Sequence, residues 1–350
     1  MRKTVLALTS IFIAAALLTA CGGGGSSADG TATTGAVKDV IAPTVTYMTP
    51  ATGAAGVAID SSVTVTFSEA IDPASINQQT FTVSGVQGVV TYEPTSKTAM
   101  FTHPPMSTNS TYTVTITKGI KDQAGNSMGS AYTWTFVTSS STDTVAPAVI
   151  SVAPMALNVP VNSAITAAFS EPMDISTVNG AFTVRETITA ASVAGSTEYI
   201  GGAVTFTPSV VLKGNTAYTA NIATTASDLA GNRLSATNSS WSFTTSSLRD
   251  EIAPKVIVGS EIPANASTNA PVTSPISIMF DEPIYPFLFG AINGIPGTVL
   301  FDYTNNRVTM TPSQSLTPGF TYTGYVHAAD LAGNPMAEPY TWSFTVQRPL

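Results

Sequence analysis

A pentapeptide of the form Asp-x-Ala-Gly-Asn, which we call the DxAGN motif, occurs three times in this 350-residue chain. It reads DQAGN at residues 122–126 and DLAGN at residues 228–232 and 330–334. Aligning the chain on the motif brings three further features into register. Each repeat opens with Ala-Pro, contains an alternating segment that ends in Phe, and closes on Trp-x-Phe. Because the opening prolines Pro43, Pro147 and Pro254 are 104 and 107 residues apart, the sequence predicts three domains of similar size.

The alternating segments read VTVTFSE, ITAAFSE and ISIMFDE. Apolar residues at every second position predict half-buried strands. No sustained helical periodicity follows the N-terminal segment, and turn-forming Gly, Pro, Asn and Ser are frequent. Short strands and frequent turns in units of this size predict an all-β fold of three Greek-key β-sandwiches in series.

A tyrosine begins the penultimate strand of each repeat, six residues after an apolar residue. This is the spacing of a tyrosine corner, in which the phenol hydrogen-bonds to the backbone at a Greek-key crossover. The tyrosines are Tyr112, Tyr218 and Tyr322, and the apolar residues are Met106, Leu212 and Leu316.

Taken together, the opening Ala-Pro, FSEPMD, the tyrosine spacing, DLAGN and the closing WSFTT resemble the bacterial Ig-like domain of S-layer and other envelope proteins. The resemblance covers residues 41–347. The third repeat departs most, because DEPIYPFLFGAING replaces SEPMDISTVNGAF. The predicted organisation is a signal peptide at residues 1–20, a tether at 21–40, and Ig-like domains at 41–140, 141–247 and 248–350.

The N-terminus has a basic start, a short apolar run and the tetrapeptide LTAC, which is the organisation of a secretory signal. A small residue before Cys21 resembles the bacterial lipobox and implies cleavage there and lipidation of the thiol. The alternative is an ordinary signal peptide with a chance cysteine. Gly22 is not the aspartate associated with inner-membrane retention. The resemblance therefore implies a lipid-anchored protein of the outer membrane or cell surface, with the membrane as a partner.

Charge and residue usage exclude several function classes. Twenty-one acidic residues against 13 basic ones argue against nucleic acid as a partner. The single cysteine excludes disulfides and cysteine-based zinc sites further along. The only two histidines, His103 and His327, fall in different repeats without a triad-like pattern around them. We therefore predict a protein that is not an enzyme and requires no cofactor.

The DxAGN motif has two interpretations. In the first, it is a turn: its glycine (Gly125, Gly231 or Gly333) takes a positive φ, and its aspartate accepts backbone N–H groups. In the second, it belongs to a calcium site. A glutamate stands two residues after each strand-ending Phe, and an aspartate stands four residues before each opening proline.

An Ig-like topology brings these three acids of each repeat to one pole, where the motif's asparagine could add a carbonyl oxygen. Such hard oxygen ligands are those that calcium takes. The candidate ligands are Asp39, Glu69 and Asp122; Asp143, Glu171 and Asp228; and Asp250, Glu282 and Asp330.

The aromatic residues Tyr285, Phe287 and Phe289 stand where the other repeats are polar. They predict either a repacked core or an exposed surface for a glycan or partner protein. The leading interpretation is an envelope stalk, adhesion or scaffold module. The alternative is a glycan- or protein-binding surface protein that uses the third domain, and a more remote one is an accessory component of a hydrolase system.

Overall fold

The computed structural model describes residues 39–286, 297–312 and 314–348. Domain 1 contains two antiparallel sheets, with strand orders β1-β2-β5-β4 and β3-β6-β7. A 3-10 turn, Pro73–Ser75, follows the second strand. The strands are β1 (Val45–Thr49), β2 (Val63–Phe67), β3 (Phe81–Val83), β4 (Val89–Glu93), β5 (Thr98–Thr102), β6 (Thr111–Ile116) and β7 (Tyr132–Val137).

Domain 2 repeats this arrangement with sheets ordered β8-β9-β12-β11 and β10-β13-β14. Its helix α1 (Ile175–Ala181) was not expected from the sequence. Asp174 caps the helix by accepting the N–H of Ser176, and only one side of this short segment is buried. The strands are β8 (Val149–Ala153), β9 (Ile165–Phe169), β10 (Phe182–Glu186), β11 (Gly195–Ile200), β12 (Ala203–Pro208), β13 (Ala217–Ile222) and β14 (Ser240–Thr244).

Domain 3 is the least regular, as its sequence indicates. Its sheets are ordered β15-β17-β16 and β18-β19 among the described residues. Val256 and Ile262 form only isolated bridges, to Phe280 and Ser277, where the other domains have a first strand. The strands are β15 (Ile276–Met279), β16 (Gly297–Asp302), β17 (Arg307–Pro312), β18 (Thr321–Val326) and β19 (Tyr340–Thr345).

Each domain has its core between its two sheets. Val63, Val65 and Phe67 of β2 are fully or almost fully buried, as the alternation predicts, and the closing Trp134 and Phe136 pack with them. The equivalent residues of domains 2 and 3 are buried in the same way. The structure therefore confirms the predicted class of tandem β-sandwiches. Among the described residues no helix has the length and apolarity needed to cross a membrane.

Domain 3 packs against the outer face of domain 2. All five residues of β9 are buried, because Thr166 and Ala168, on the side away from the domain 2 core, are covered by domain 3. The Ser151 hydroxyl donates to the Phe301 carbonyl at 2.7 Å, and the Thr166 hydroxyl donates to the Tyr303 hydroxyl at 3.2 Å. Domains 2 and 3 therefore share a lateral interface in addition to their linker.

Candidate metal centres at the domain poles

The DxAGN motif forms the same hydrogen-bonded turn in all three domains. In domain 2, Asp228 Oδ1 accepts the N–H groups of Ala230 and Asn232, both at 2.8 Å. Gly231 has a φ of +92°, and its counterparts in domains 1 and 3 have φ of +91°. Only glycine adopts this φ without strain. The turn interpretation therefore accounts for the aspartate and the glycine of the motif.

The asparagine of the motif connects this turn to the linker that enters the domain. Asn232 Nδ2 donates to Asp228 Oδ2 at 2.9 Å and to the Asp143 carbonyl at 3.3 Å. Asn334 makes the equivalent bonds to Asp330 and to the Asp250 carbonyl. In this arrangement the side-chain amide faces the aspartate as a donor, and the expectation that its carbonyl oxygen is a calcium ligand stays a prediction.

The nine acidic residues selected from the sequence lie in three triads, one in each domain. The first triad is Asp39, Glu69 and Asp122, the second is Asp143, Glu171 and Asp228, and the third is Asp250, Glu282 and Asp330. Within each triad, one carboxylate oxygen from each residue lies within 4.8 Å of the other two. The topology produces this convergence, because the residue two after each glutamate forms a bridge with the aspartate of the motif.

The spacing of these oxygens suits a single calcium ion. Calcium binds oxygen at about 2.3–2.6 Å, so two ligands on opposite sides of the ion lie up to about 5 Å apart. Three carboxylates would also supply the negative charge that a divalent cation favours. The donor set of each triad therefore fits calcium, with room for further carbonyl or water ligands.

The glutamate of each triad is in an unfavourable electrostatic environment. Partial burial, followed by the charges of the two aspartates in its triad, raises the pKa of Glu171 to about 7. Burial and the neighbouring aspartates raise the pKa of Glu282 to about 7 in the same way. The pKa of Glu69 is also raised, with Lys97 acting in the opposite direction. A bound cation would relieve this repulsion.

The aspartates of the motif are stabilised differently. Asp122 is 2% exposed, and burial alone would raise its pKa. The hydrogen bonds from Asn126 and from the backbone of the turn outweigh this effect, so that the pKa of Asp122 lies below its usual value. The first triad thus combines an aspartate whose pKa is lowered by its turn with a glutamate whose pKa is raised.

Two of the triads border cavities between domains. Asp143, Glu171 and Asp228 line a cavity of about 580 Å³ whose opposite wall includes Tyr47 and Met48 of domain 1. Asp250 and Glu282 line a second cavity, of about 490 Å³, between domains 2 and 3. Water and ions can therefore reach the second and third triads.

The three tyrosines take the positions of tyrosine corners. The hydroxyl of Tyr218 accepts the N–H of Lys213 at 2.9 Å, one residue after the buried Leu212. Tyr112 and Tyr322 accept the N–H groups of Ser107 and Thr317 at the same distance. Each bond joins the penultimate strand of its domain to the connection that precedes that strand.

Tyr285 makes contacts with other residues of the chain. Its ring packs against the domain 3 core, and its hydroxyl donates to Glu198 of domain 2 at 3.0 Å. Its side chain therefore contributes to the lateral interface, which favours the repacked-core interpretation of Tyr285, and partner binding through this residue stays a prediction. Phe287, Phe289 and the lipidation candidate Cys21 lie outside the described residues.

The two histidines have backbone partners. The ring nitrogens of His103 face the carbonyl oxygens of Ser61 and Pro104 at 3.1 and 2.9 Å. Nε2 of His327 lies 2.8 Å from the Met336 carbonyl. These contacts tie the rings to the local backbone and resemble no nucleophile-base pairing.

Sequence reasoning missed two polar residues that lie between domains. Asp60 and Asn162 occupy equivalent positions, three residues before β2 and β9, and each hydrogen-bonds to the linker aspartate of the following domain. The signal was present as a polar side chain at the same place in each repeat. From the sequence alone, such a polar residue could not be distinguished from an ordinary turn residue.

The chain belongs to the bacterial Ig-like domain family, a non-catalytic domain type. A model of that family matches residues 39–138, 143–245 and 250–346, which is most of the chain. This result confirms the resemblance recognised in the sequence motifs. A search of curated proteins found no match.

A comparison with solved structures found matches to several kinds of protein. The N-terminal part of the bacterial S-layer protein SbsC is 12% identical, with 57% of this chain and 44% of that one covered and a TM-score of 0.24. An L,D-transpeptidase from Mycobacterium smegmatis is 18% identical, covering 43% and 67%, with a TM-score of 0.22. The protein SGBP-B of Bacteroides ovatus, solved with a mixed-linkage heptasaccharide, is 16% identical, covering 88% and 71%, with a TM-score of 0.17. This chain thus spans less than half of the SbsC structure.

Proposed function

We propose that this protein is a non-enzymatic lipoprotein of the cell envelope that acts as a stalk, adhesion or scaffold module, with calcium bound at its domain poles. The observation that carries the proposal is the convergence of three carboxylates at the same place in every domain. Membership of the bacterial Ig-like family supports a modular, non-catalytic role.

Calcium would act mainly on the relative position of the domains. In the second and third triads, one ligand comes from the linker and two come from the domain that follows it. Without a cation the carboxylates repel one another, which favours movement of the linker away from the domain. With a cation, the linker aspartate becomes a ligand and the linker is held against the domain.

The calcium proposal is tested by calorimetric unfolding of the full chain with calcium and with a chelator. Binding to the folded state alone stabilises by RT ln(1 + [L]/Kd), about 2.7 kcal/mol per site at a hundredfold excess over Kd. Calcium should therefore raise the melting temperature, and the chelator should reverse the rise. An unchanged melting temperature in calcium would contradict the proposal.

The anchor is tested by Cys21→Ser. If the thiol carries the lipid, the variant should appear in the soluble fraction, because a protein without its acyl chains loses its durable attachment. Its melting temperature should equal that of the wild type, since Cys21 lies outside the three matched domains. Equal membrane association of variant and wild type would argue that the protein is not lipidated at Cys21.

The alternative of a glycan- or protein-binding surface on domain 3 has less support among the described residues. Its aromatic candidate Tyr285 is bonded to Glu198 within the same chain. Because this ring also packs against the domain 3 core, we retain the stalk or scaffold role as the proposal.

A further inference from the structure

The same backbone contact recurs where domain 1 meets domain 2 and where domain 2 meets domain 3. The N–H of Ser62 donates to the Leu229 carbonyl at 3.1 Å, and the N–H of Ala164 donates to the Leu331 carbonyl at 2.7 Å. In both cases the donor directly precedes the second strand of one domain, and the acceptor is the leucine of DLAGN in the next. We call each of these contacts a joint.

Each joint also holds the linker aspartate from both sides. The N–H of Asp143 donates to Asp60 of domain 1 at 3.0 Å, and its carbonyl accepts from Asn232 of domain 2. At the other joint, Asn162 both accepts from the N–H of Asp250 and donates to its carbonyl. Backbone groups of the linker aspartate are therefore bound by the domain before it and the domain after it.

The residues that make a joint are replaced where the described chain has no neighbouring domain. The leucine of the motif is about 9% exposed in domain 2 and 8% exposed in domain 3, but domain 1 has the exposed Gln123 there. At the opposite pole, Pro275 of domain 3 stands at the position of Ser62 and Ala164. Proline has no N–H to donate. The choice of residue thus follows the presence or absence of a joint.

We propose that Asp60 and Asn162 are positioning residues that fix the orientation of consecutive domains by holding the linker aspartate in place. Domain 3 is also held by its lateral interface with domain 2, so the test is made at the joint between domains 1 and 2. The leucine of DLAGN marks a loop that a preceding domain covers.

One consequence rests on the proposed calcium function. The linker aspartates that Asp60 and Asn162 hold are also members of the second and third triads. Residues that orient a metal ligand typically contribute 10-fold to 100-fold, in order of magnitude, to metal affinity. Because linkage is reciprocal, calcium would in turn favour the docked orientation. No described domain precedes the first triad, so its calcium affinity serves as an internal reference for the affinities of the second and third triads.

The test measures the distance between domains 1 and 2 by electron paramagnetic resonance in a chelator. Spin labels are attached to Val89→Cys and Ile188→Cys, at two exposed positions, in a full chain that also carries Cys21→Ser. We expect the distance distribution to be broader for Asp60→Ala than for this parent under the same calcium-free conditions. Leu229→Gln, which copies the motif of domain 1, should broaden it as well.

Thr273→Ala is the matched control, because Thr273 occupies the same position in domain 3 and makes no joint with a described domain. It should leave the distribution unchanged. A distribution that is unchanged after Asp60→Ala would overturn the proposal, as would an equal effect of Thr273→Ala. Because the measurement needs no cation, it stands apart from the calcium proposal. If calcium binds the parent, Asp60→Ala should lower affinity at the second triad about 10-fold.

Discussion

The aspartate and glutamate of each triad have different tasks despite carrying the same functional group. Asp228 is 2% exposed and receives hydrogen bonds at both oxygens, so its charge is compensated by the turn that it closes. Glu171 lies beside it with a pKa raised to about 7, because burial and two neighbouring carboxylates disfavour its charge. The turn and the cation interpretations are therefore compatible. The aspartate builds the turn, and the glutamate supplies the charge that calls for a cation.

This difference predicts how stability depends on pH when calcium is absent. The folded pKa of Glu171 and Glu282 is above the unfolded value, so the folded chain binds more protons between about pH 4.5 and 7. Stability should fall as pH rises through this window. In a chelator, Glu171→Gln with Glu282→Gln should therefore unfold at a higher temperature than wild type at about pH 8, and the difference should shrink near pH 5.

Glu338→Gln, at an exposed position, is the control for a general charge effect. It should follow the wild type at both pH values. A double variant that shows the same pH dependence as the wild type would mean that these two carboxyls are not under repulsion.

The position of β9 between the domain 2 core and domain 3 explains why this strand has small residues on its outer side. Thr166 and Ala168 alternate with Ile165, Ala167 and Phe169, which face the domain 2 core. Their small size lets β16 of domain 3 approach, and Ala168 belongs to the same apolar cluster as the core of domain 3. One strand thus serves two interfaces, and its outer side is selected for close packing instead of for contact with water.

Ala168→Lys should separate domain 3 from domain 2 without unfolding either. A lysine there would bury a charge without a partner, which strongly disfavours the packed state. Hydrogen exchange should increase in β16, while the core strands of domain 2 remain protected. Met279→Lys, at the same strand position in domain 3 and only partly buried, is the control. Unchanged exchange in β16 of the Ala168 variant would show that the lateral interface contributes little.

Local patterns in the chain predict strands and turns better than they predict contacts between domains. The period-two segments, the positive-φ glycines and the tyrosine spacing are set by neighbours within one domain, and so are the three acidic triads. By contrast, ITAAF in β9 has the pattern of a half-buried strand, although both of its sides are covered. Helix α1 is only seven residues long, which is too short for helical periodicity to be evident. Tyr285 and Asp60 act through partners in another domain, which no local pattern contains.

The molecule as a whole repeats one device at each domain pole. The motif closes a turn, the turn holds the linker through its asparagine, and the linker aspartate completes a triad of carboxylates. Between domains 1 and 2 the joint is the principal hydrogen-bonded contact that we describe, whereas domains 2 and 3 also share a packed lateral face. Calcium should therefore change the orientation of domain 1 more than that of domain 3.

The most direct measurement of the central claim is isothermal titration of the full chain with calcium. The account predicts one ion per triad, hence three per chain. Combining Glu69→Gln, Glu171→Gln and Glu282→Gln should abolish binding, because each triad loses one ligand charge while the turn built by its aspartate stays intact. Glu338→Gln should bind like the wild type. If wild type takes up no calcium, or the triple variant binds as the wild type does, the triads are not calcium sites and the motif serves only the turn and the joint.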